Sequence, residues 1–196
     1  MGESQLLRPG PDPGAQREQV RRLAALPEGC AVTMMSDLST VHPRILGTRQ
    51  LRWPDEDACA AQARALAARP ALREAFVTLH GGLGAGKTTF VRHLLRGLGV
   101  AGRIKSPTYA VVEPHRAGSL EISHFDFYRL DDPREWEDAG FREVFARPGL
   151  KLAEWPEKAA GFLPVADLEV WISVDADEGR TVRLDALTPR GLELLP

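Results

Sequence analysis

The sequence predicts an α/β layered domain, on three observations. Short apolar runs bounded by turn residues alternate with alanine- and leucine-rich segments of helical character, an order that packs helices onto a sheet. One of these runs leads into Gly81-Gly82-Leu83-Gly84-Ala85-Gly86-Lys87-Thr88, a glycine-rich turn with a strand before it and a helix after it. The composition, 43% hydrophobic and 27% charged over 196 residues, supplies enough apolar side chains for one core.

The first forty-odd residues stand apart. Pro9, Pro11 and Pro13 alternate with Gly10 and Gly14, which blocks helix and ladder pairing alike. A short helix is possible over residues 16–26, where Val20, Leu23 and Ala24 share a face. Residues 1–47 are therefore expected to form a flexible N-terminal extension, or to lie upstream of a start at Met34 or Met35, and residues 48–196 the ordered domain. Within it, residues 49–53 alternate weakly, as an edge strand does. Pro54-Asp55-Glu56-Asp57 opens a helix, with proline early and acids at the positive end of the dipole, and residues 58–68 continue it until Pro70. Residues 75–80 read as a buried strand and 87–98 as a helix. Strands are predicted over 108–115 and 120–128, joined by the turn 116–119. A helix starts over 133–139 with Asp132 as its cap. Residues 150–154 form another strand and 156–160 another helical start. Strands over 168–174 and 181–186 flank the turn Asp177-Glu178-Gly179.

Charge and cysteine content exclude several classes of function. Lys and Arg number 25 against 27 Asp and Glu, so no broad basic field is available for non-specific nucleic-acid binding. Cys30 and Cys59 form neither a disulfide framework nor a zinc set, and Cys59 on its alanine-rich helix reads as a small buried apolar residue. No stretch approaches the roughly 18 apolar residues of a membrane span, and the N-terminus lacks the basic-then-apolar order of a signal peptide. A cytoplasmic protein is expected.

Residues 81–88 complete the pattern G-x-x-x-x-G-K-[ST], and each fixed type has a physical role. The glycines let backbone N–H groups converge on an anion without Cβ clashes. The helix starting near Lys87 points its positive end at the same place. Lys87 supplies a point charge to β- and γ-phosphates, and the Thr88 hydroxyl ligates Mg²⁺. A carboxylate near the metal is also needed, and two stand at strand ends: Asp126 after Ile122-Ser123-His124-Phe125, and Glu154 after Leu150-Lys151-Leu152-Ala153. Each can equally be a solvated strand-end acid. His124 and His80 can act as ligands or proton carriers, or simply pack, and Trp155 beside Glu154 can be core or nucleotide-stacking.

Several motifs then occur together and in order: Gly84-Ala85-Gly86-Lys87-Thr88-Thr89, Lys105-Ser106-Pro107-Thr108-Tyr109, His124-Phe125-Asp126-Phe127-Tyr128-Arg129-Leu130, Asp132-Pro133 with Gly140 shortly after, and Glu154-Trp155-Pro156. In this the chain resembles the TsaE (YjeE) family, small P-loop ATPases of bacterial tRNA threonylcarbamoyladenosine synthesis, over about residues 49–187. The resemblance implies a P-loop NTPase-like three-layer core with a mixed sheet. It also implies an ATP- and Mg²⁺-dependent ATPase, weak alone, that resets the TsaB–TsaD complex between turnovers and meets tRNA only through that complex. Carried onto this sequence, Gly82, Leu83, Gly84, Ala85, Gly86, Lys87, Thr88, Thr89 and Trp155 would bind the nucleotide, and Thr88 and Glu154 the metal. Lys87, Asp126 and Thr108 would serve catalysis, Asp126 by positioning the attacking water and Thr108 within a switch segment near the γ-phosphate. One departure is Gly82, where the family usually carries Asp, which removes a carboxylate beside the loop and leaves the anion cradle intact.

Two other readings use the same cradle. A small-molecule kinase would need an acceptor pocket and an Arg-bearing lid, and no Arg-rich lid follows Glu154. A nucleotide-dependent binding module would use ATP as a conformational ligand without turnover.

Overall fold

The structure, a computed structural model, describes residues 43–108, 110–130, 136 and 140–196. Most of the expected N-terminal extension, Tyr109, Asp132 and most of the helix predicted over 133–139 lie outside these residues. The chain runs β1 (Gly47–Trp53), α1 (Glu56–Ala67), a 3₁₀ turn (Pro70–Glu74), β2 (Phe76–His80), α2 (Lys87–Gly97), β3 (Val112–Ala117) and β4 (Leu120–Asp126). There follow α3 (Phe141–Ala146), β5 (Leu150–Glu154), a second 3₁₀ turn (Pro156–Ala159), β6 (Leu168–Val174), β7 (Arg180–Ala186) and α4 (Pro189–Leu194).

Seven strands form one mixed sheet in the order β1-β7-β6-β2-β5-β4-β3. Its centre is parallel, with β2 between β6 and β5 and β4 beyond β5. Antiparallel pairs close both edges, β3 on β4 at one and β7 with β1 at the other. Strands buried on both faces need apolar residues throughout, and β2 and β5 are buried along almost their whole length.

Successive residues divide between two cores because side chains alternate across a strand. Val77, Leu79, Ile122, Leu152, Val170 and Val182 meet α1 and α2 on one face. Phe76, Phe125 and Ala153 meet Phe127, Trp136, Phe141 and Val144 on the other. Trp53, at the end of β1, stacks on Phe90 of α2 with ring centroids 5.2 Å apart, and fully burying a side chain of this size stabilises by about 1.5–3 kcal/mol. Helices on both faces of the sheet make the expected three layers.

The elements differ from the sequence reading in several places. The strand predicted from Thr108 starts only at Val112, because the Pro107 carbonyl accepts the N–H groups of both Ala110 and Val111 and turns the chain there. The strand predicted to run to Tyr128 stops at Asp126, whose Oδ1 accepts the Tyr128 N–H. Helices α3 and α4 are absent from the sequence reading. Helix α3 follows Gly140 at φ 71°, and α4 is capped by Thr188, whose hydroxyl oxygen accepts the Gly191 N–H at 3.1 Å.

Candidate functional site

The parallel strands β2, β5 and β4 deliver their carboxyl ends to one edge of the sheet, where open α/β folds bind ligands. The glycine-rich loop leaves β2 there. Gly81 sits at φ 136°, and a Cβ on it would lie 2.3 Å from the Ile172 carbonyl oxygen, so the turn off the strand admits no side chain. Gly86 adopts φ 111° as the N-cap of α2 and brings no side chain to cap it. The first N–H groups of α2 are thus left without a capping side chain at the positive end of the dipole, which is the condition for holding an anion.

Lys87 is buried, and its Nζ donates to the Gly81 carbonyl at 2.6 Å and the Gly82 carbonyl at 2.9 Å. The ammonium also lies 3.7 Å from the centre of the Trp155 ring, a cation–π contact. Burial lowers its pKa, while Glu154, Glu157 and Asp126 pull in the opposite direction. Trp155 is presented by a left-handed backbone, φ 58°, immediately after β5, and Tyr128 lies against it with ring centroids 5.0 Å apart.

Behind the lysine stand the two strand-end acids. Asp126 and Glu154 are register partners on β4 and β5. Thr88 donates its hydroxyl to Glu154 Oε2 at 2.8 Å, and Glu154 Oε1 pairs with His124 Nε2 at 2.9 Å. Asp126 Oδ2 accepts from the hydroxyls of Ser106 and of Thr108, the latter at 2.7 Å. Thr88, Thr108, Asp126, Glu154 and Trp155 all line one open cleft of about 280 Å³ against the loop. Leu83 is at its rim, 79% exposed. The donor set is one of hard oxygens, and a cation held by few protein oxygens beside phosphates is the usual habit of Mg²⁺. No group of three or more His, Cys, Asp or Glu side chains suited to an all-protein metal cage occurs among the described residues.

A second cavity of about 230 Å³ lies on the other side of the same loop, and Gly84, Ala85, Gly86 and Thr89 line both. Its far wall is Trp53 at the end of β1, Asp55, Glu56 and Cys59 around the start of α1, and Glu178 and Arg180 from the β6–β7 hairpin. Arg180 Nε donates to the Ala85 carbonyl at 2.9 Å, tying the hairpin to the loop. The sequence reading missed Arg180, which carries no local motif. Burial pushes the Cys59 thiol up to about 11, so it is a wall group and not a nucleophile.

His80, the last residue of β2, stacks on Trp171 at 3.9 Å and shares a hydrogen bond of 3.0 Å with the Thr78 hydroxyl. Burial, helped by Arg183, holds its pKa down to about 4 against an ordinary 6.5. The unfolded chain therefore binds the proton first as pH falls, so this contribution to stability is intact above about pH 6.5 and is lost on the way down to 4. His80→Gln should flatten the fall in urea midpoint between pH 7 and pH 4.5. An unchanged slope would assign the acid sensitivity to other groups.

The chain has close relatives among known proteins. The family profile described as "Threonylcarbamoyl adenosine biosynthesis protein TsaE" matches residues 53–182. The Haemophilus influenzae protein named tRNA threonylcarbamoyladenosine biosynthesis protein TsaE is 45% identical over 119 residues, covering 61% of this chain and 75% of its own. The Bacillus subtilis protein of the same name is 35% identical over 146 residues, covering 72% of this chain and 89% of its own. The crystal structure of Bacillus subtilis YdiB superposes with a TM-score of 0.65 at 28% identity, covering 77% of this chain and 93% of that one. The matched span reaches from the end of β1 into β7 and takes in the loop, both strand-end acids and Trp155, so that by sequence and by fold this chain belongs to the TsaE family.

Proposed function

We propose that the chain works in tRNA threonylcarbamoyladenosine biosynthesis as an ATP-binding and ATP-hydrolysing component that drives turnover of the TsaB–TsaD complex. One observation carries the nucleotide part of this reading. Lys87, the Thr88–Glu154 pair and the Ser106–Thr108–Asp126 cluster converge on one cleft beside an uncapped helix N-terminus. The relatives' names support the pathway. The partner follows from the motif set shared with the family, and tRNA is reached only through that partner, in keeping with a net charge of −2. Among the described residues no helix is long and apolar enough to cross a membrane, and this role would be carried out in the cytoplasm.

In this reading the phosphates lie on the N–H groups of the loop and of the first turn of α2. Lys87 exchanges the Gly81 and Gly82 carbonyls for phosphate oxygens. Bound Mg²⁺ would offset charge on the β- and γ-phosphates, with Thr88 and Glu154 as the residues that hold it. Asp126, kept in place by two hydroxyls, orients the attacking water, and Trp155 covers the lysine. The second cavity, reached past Gly84 and Thr89, takes the base and ribose.

Phosphate release measured with and without a TsaB–TsaD pair tests the whole reading. Slow release alone and faster release with the pair is expected. ADP formed only with a small-molecule acceptor present, with the phosphoryl group on the acceptor and no free phosphate, would make the chain a kinase, and ATP binding with no ADP formed under any condition would make it a binding module.

A further inference from the structure

His124 is buried without remainder, at 0% exposure, and Glu154 nearly so, at 2%. A histidine that serves packing alone usually spends both ring nitrogens on neighbours, because a buried polar atom without a partner is costly. Here Nδ1 is buried and has no hydrogen-bond partner among the described residues, so the hydrogen bond that Nε2 makes to Glu154 is the one that orients the ring. A carboxylate oxygen accepts, so with the ring as donor this bond takes the Nε2–H tautomer. Glu154 is thus gripped from both sides: Oε1 takes the imidazole N–H, and Oε2 is left to the Thr88 hydroxyl. Without the first grip the carboxylate is free to rotate about its last bond and leave Thr88.

We infer that His124 is a positioning residue for the cation site: in the Nε2–H tautomer it locks Glu154 so that one carboxylate oxygen stays committed to Thr88. The inference rests on the reading of Thr88 and Glu154 as the residues that hold Mg²⁺. It assigns a task to a residue that hydrogen-bonds Glu154 without lining the cleft itself, in the way that outer partners of metal-binding carboxylates fix their orientation.

Two measurements decide it. ¹⁵N-edited NMR of the unaltered chain should show the His124 ring with a protonated Nε2 and a bare Nδ1; a proton on Nδ1 and none on Nε2 overturns the inference without any variant having to fold. Calorimetric titration of Mg²⁺ into the ATPγS-loaded protein should then give an affinity about 10- to 100-fold weaker for His124→Phe. His124→Gln, whose amide can donate from nearly the same place, should restore most of the loss. ATPγS affinity measured in EDTA should be the same in all three. Equal losses with and without Mg²⁺, or no rescue by His124→Gln, would make His124 a packing residue only. Weakened Mg²⁺ binding in Glu154→Gln but not in His124→Phe would overturn the positioning role alone. Unchanged Mg²⁺ binding in both would overturn the cation reading of Glu154 and the inference with it.

Discussion

Lys87→Ala is expected to lower ATP turnover by about 10²–10³-fold, the usual cost of losing one preorganised group aimed at developing charge, while leaving the fold in place. Among the described residues its ammonium bonds to the Gly81 and Gly82 carbonyls and lies on the face of Trp155, none of which holds a strand or helix together. On the proposed reading those carbonyls hold the place that phosphate oxygens would take, and the buried ammonium is desolvated there. Removing it therefore subtracts from the transition state, where negative charge spreads over the transferring oxygens. Steady-state phosphate release with TsaB–TsaD present, beside a thermal melt, checks both halves. Turnover at the parent rate would mean that the chemistry happens elsewhere.

The second expectation separates the two acids. Asp126→Asn should leave Mg-ATP affinity within about twofold and reduce turnover by about 10²-fold or more, the range lost with a group that handles a proton or orients water. The carboxylate accepts from Ser106 and Thr108, and among the described residues no hydrogen bond ties it to the loop; on the proposed reading this leaves it to the attacking water and not to the phosphates. Glu154→Gln should do the reverse, weakening Mg²⁺-dependent affinity first, because Glu154 is bonded to Thr88. Loss confined to turnover is the mark of an interaction made in the transition state. Calorimetric affinity and phosphate release on both variants settle the assignment, and a fall in affinity for Asp126→Asn with none for Glu154→Gln would reverse it.

Much of this site was legible in the sequence because its parts are local. Residues 81–88 specify their own turn, and an apolar run ending in Asp126 or Glu154 places that acid at a strand end whatever surrounds it. What the sequence hid was long-range pairing. Arg180 reaches the Ala85 carbonyl across 95 positions, and nothing near Arg180 announces it. His124 stood in a recognisable motif, but its partner Glu154 became evident only once β4 and β5 were set side by side in parallel. The strand start at Val112 was misplaced because residues 108–115 carry β-forming side chains while two N–H groups of that stretch are claimed by the Pro107 carbonyl. Helix α3 is six residues long and held by an aromatic cluster from distant parts of the chain, so its own pattern was too short to read.

The register of β4 against β5 has an electrical consequence. It places the Asp126 and Glu154 side chains on adjacent strands at one level, with Lys87 as the buried ammonium between them and the loop. Two carboxylates against one ammonium leave the floor of the cleft with an excess of negative charge, in surroundings where water screens poorly. On the proposed reading, a polyphosphate arriving alone would be repelled by that floor even as the loop attracts it, and a divalent cation arriving alone would meet few ligands. Each would then make room for the other, and thermodynamic linkage requires the enhancement to be equal in both directions. The cleft would in effect be a receptor for the ion pair, responding to the product of the two concentrations more than to either one.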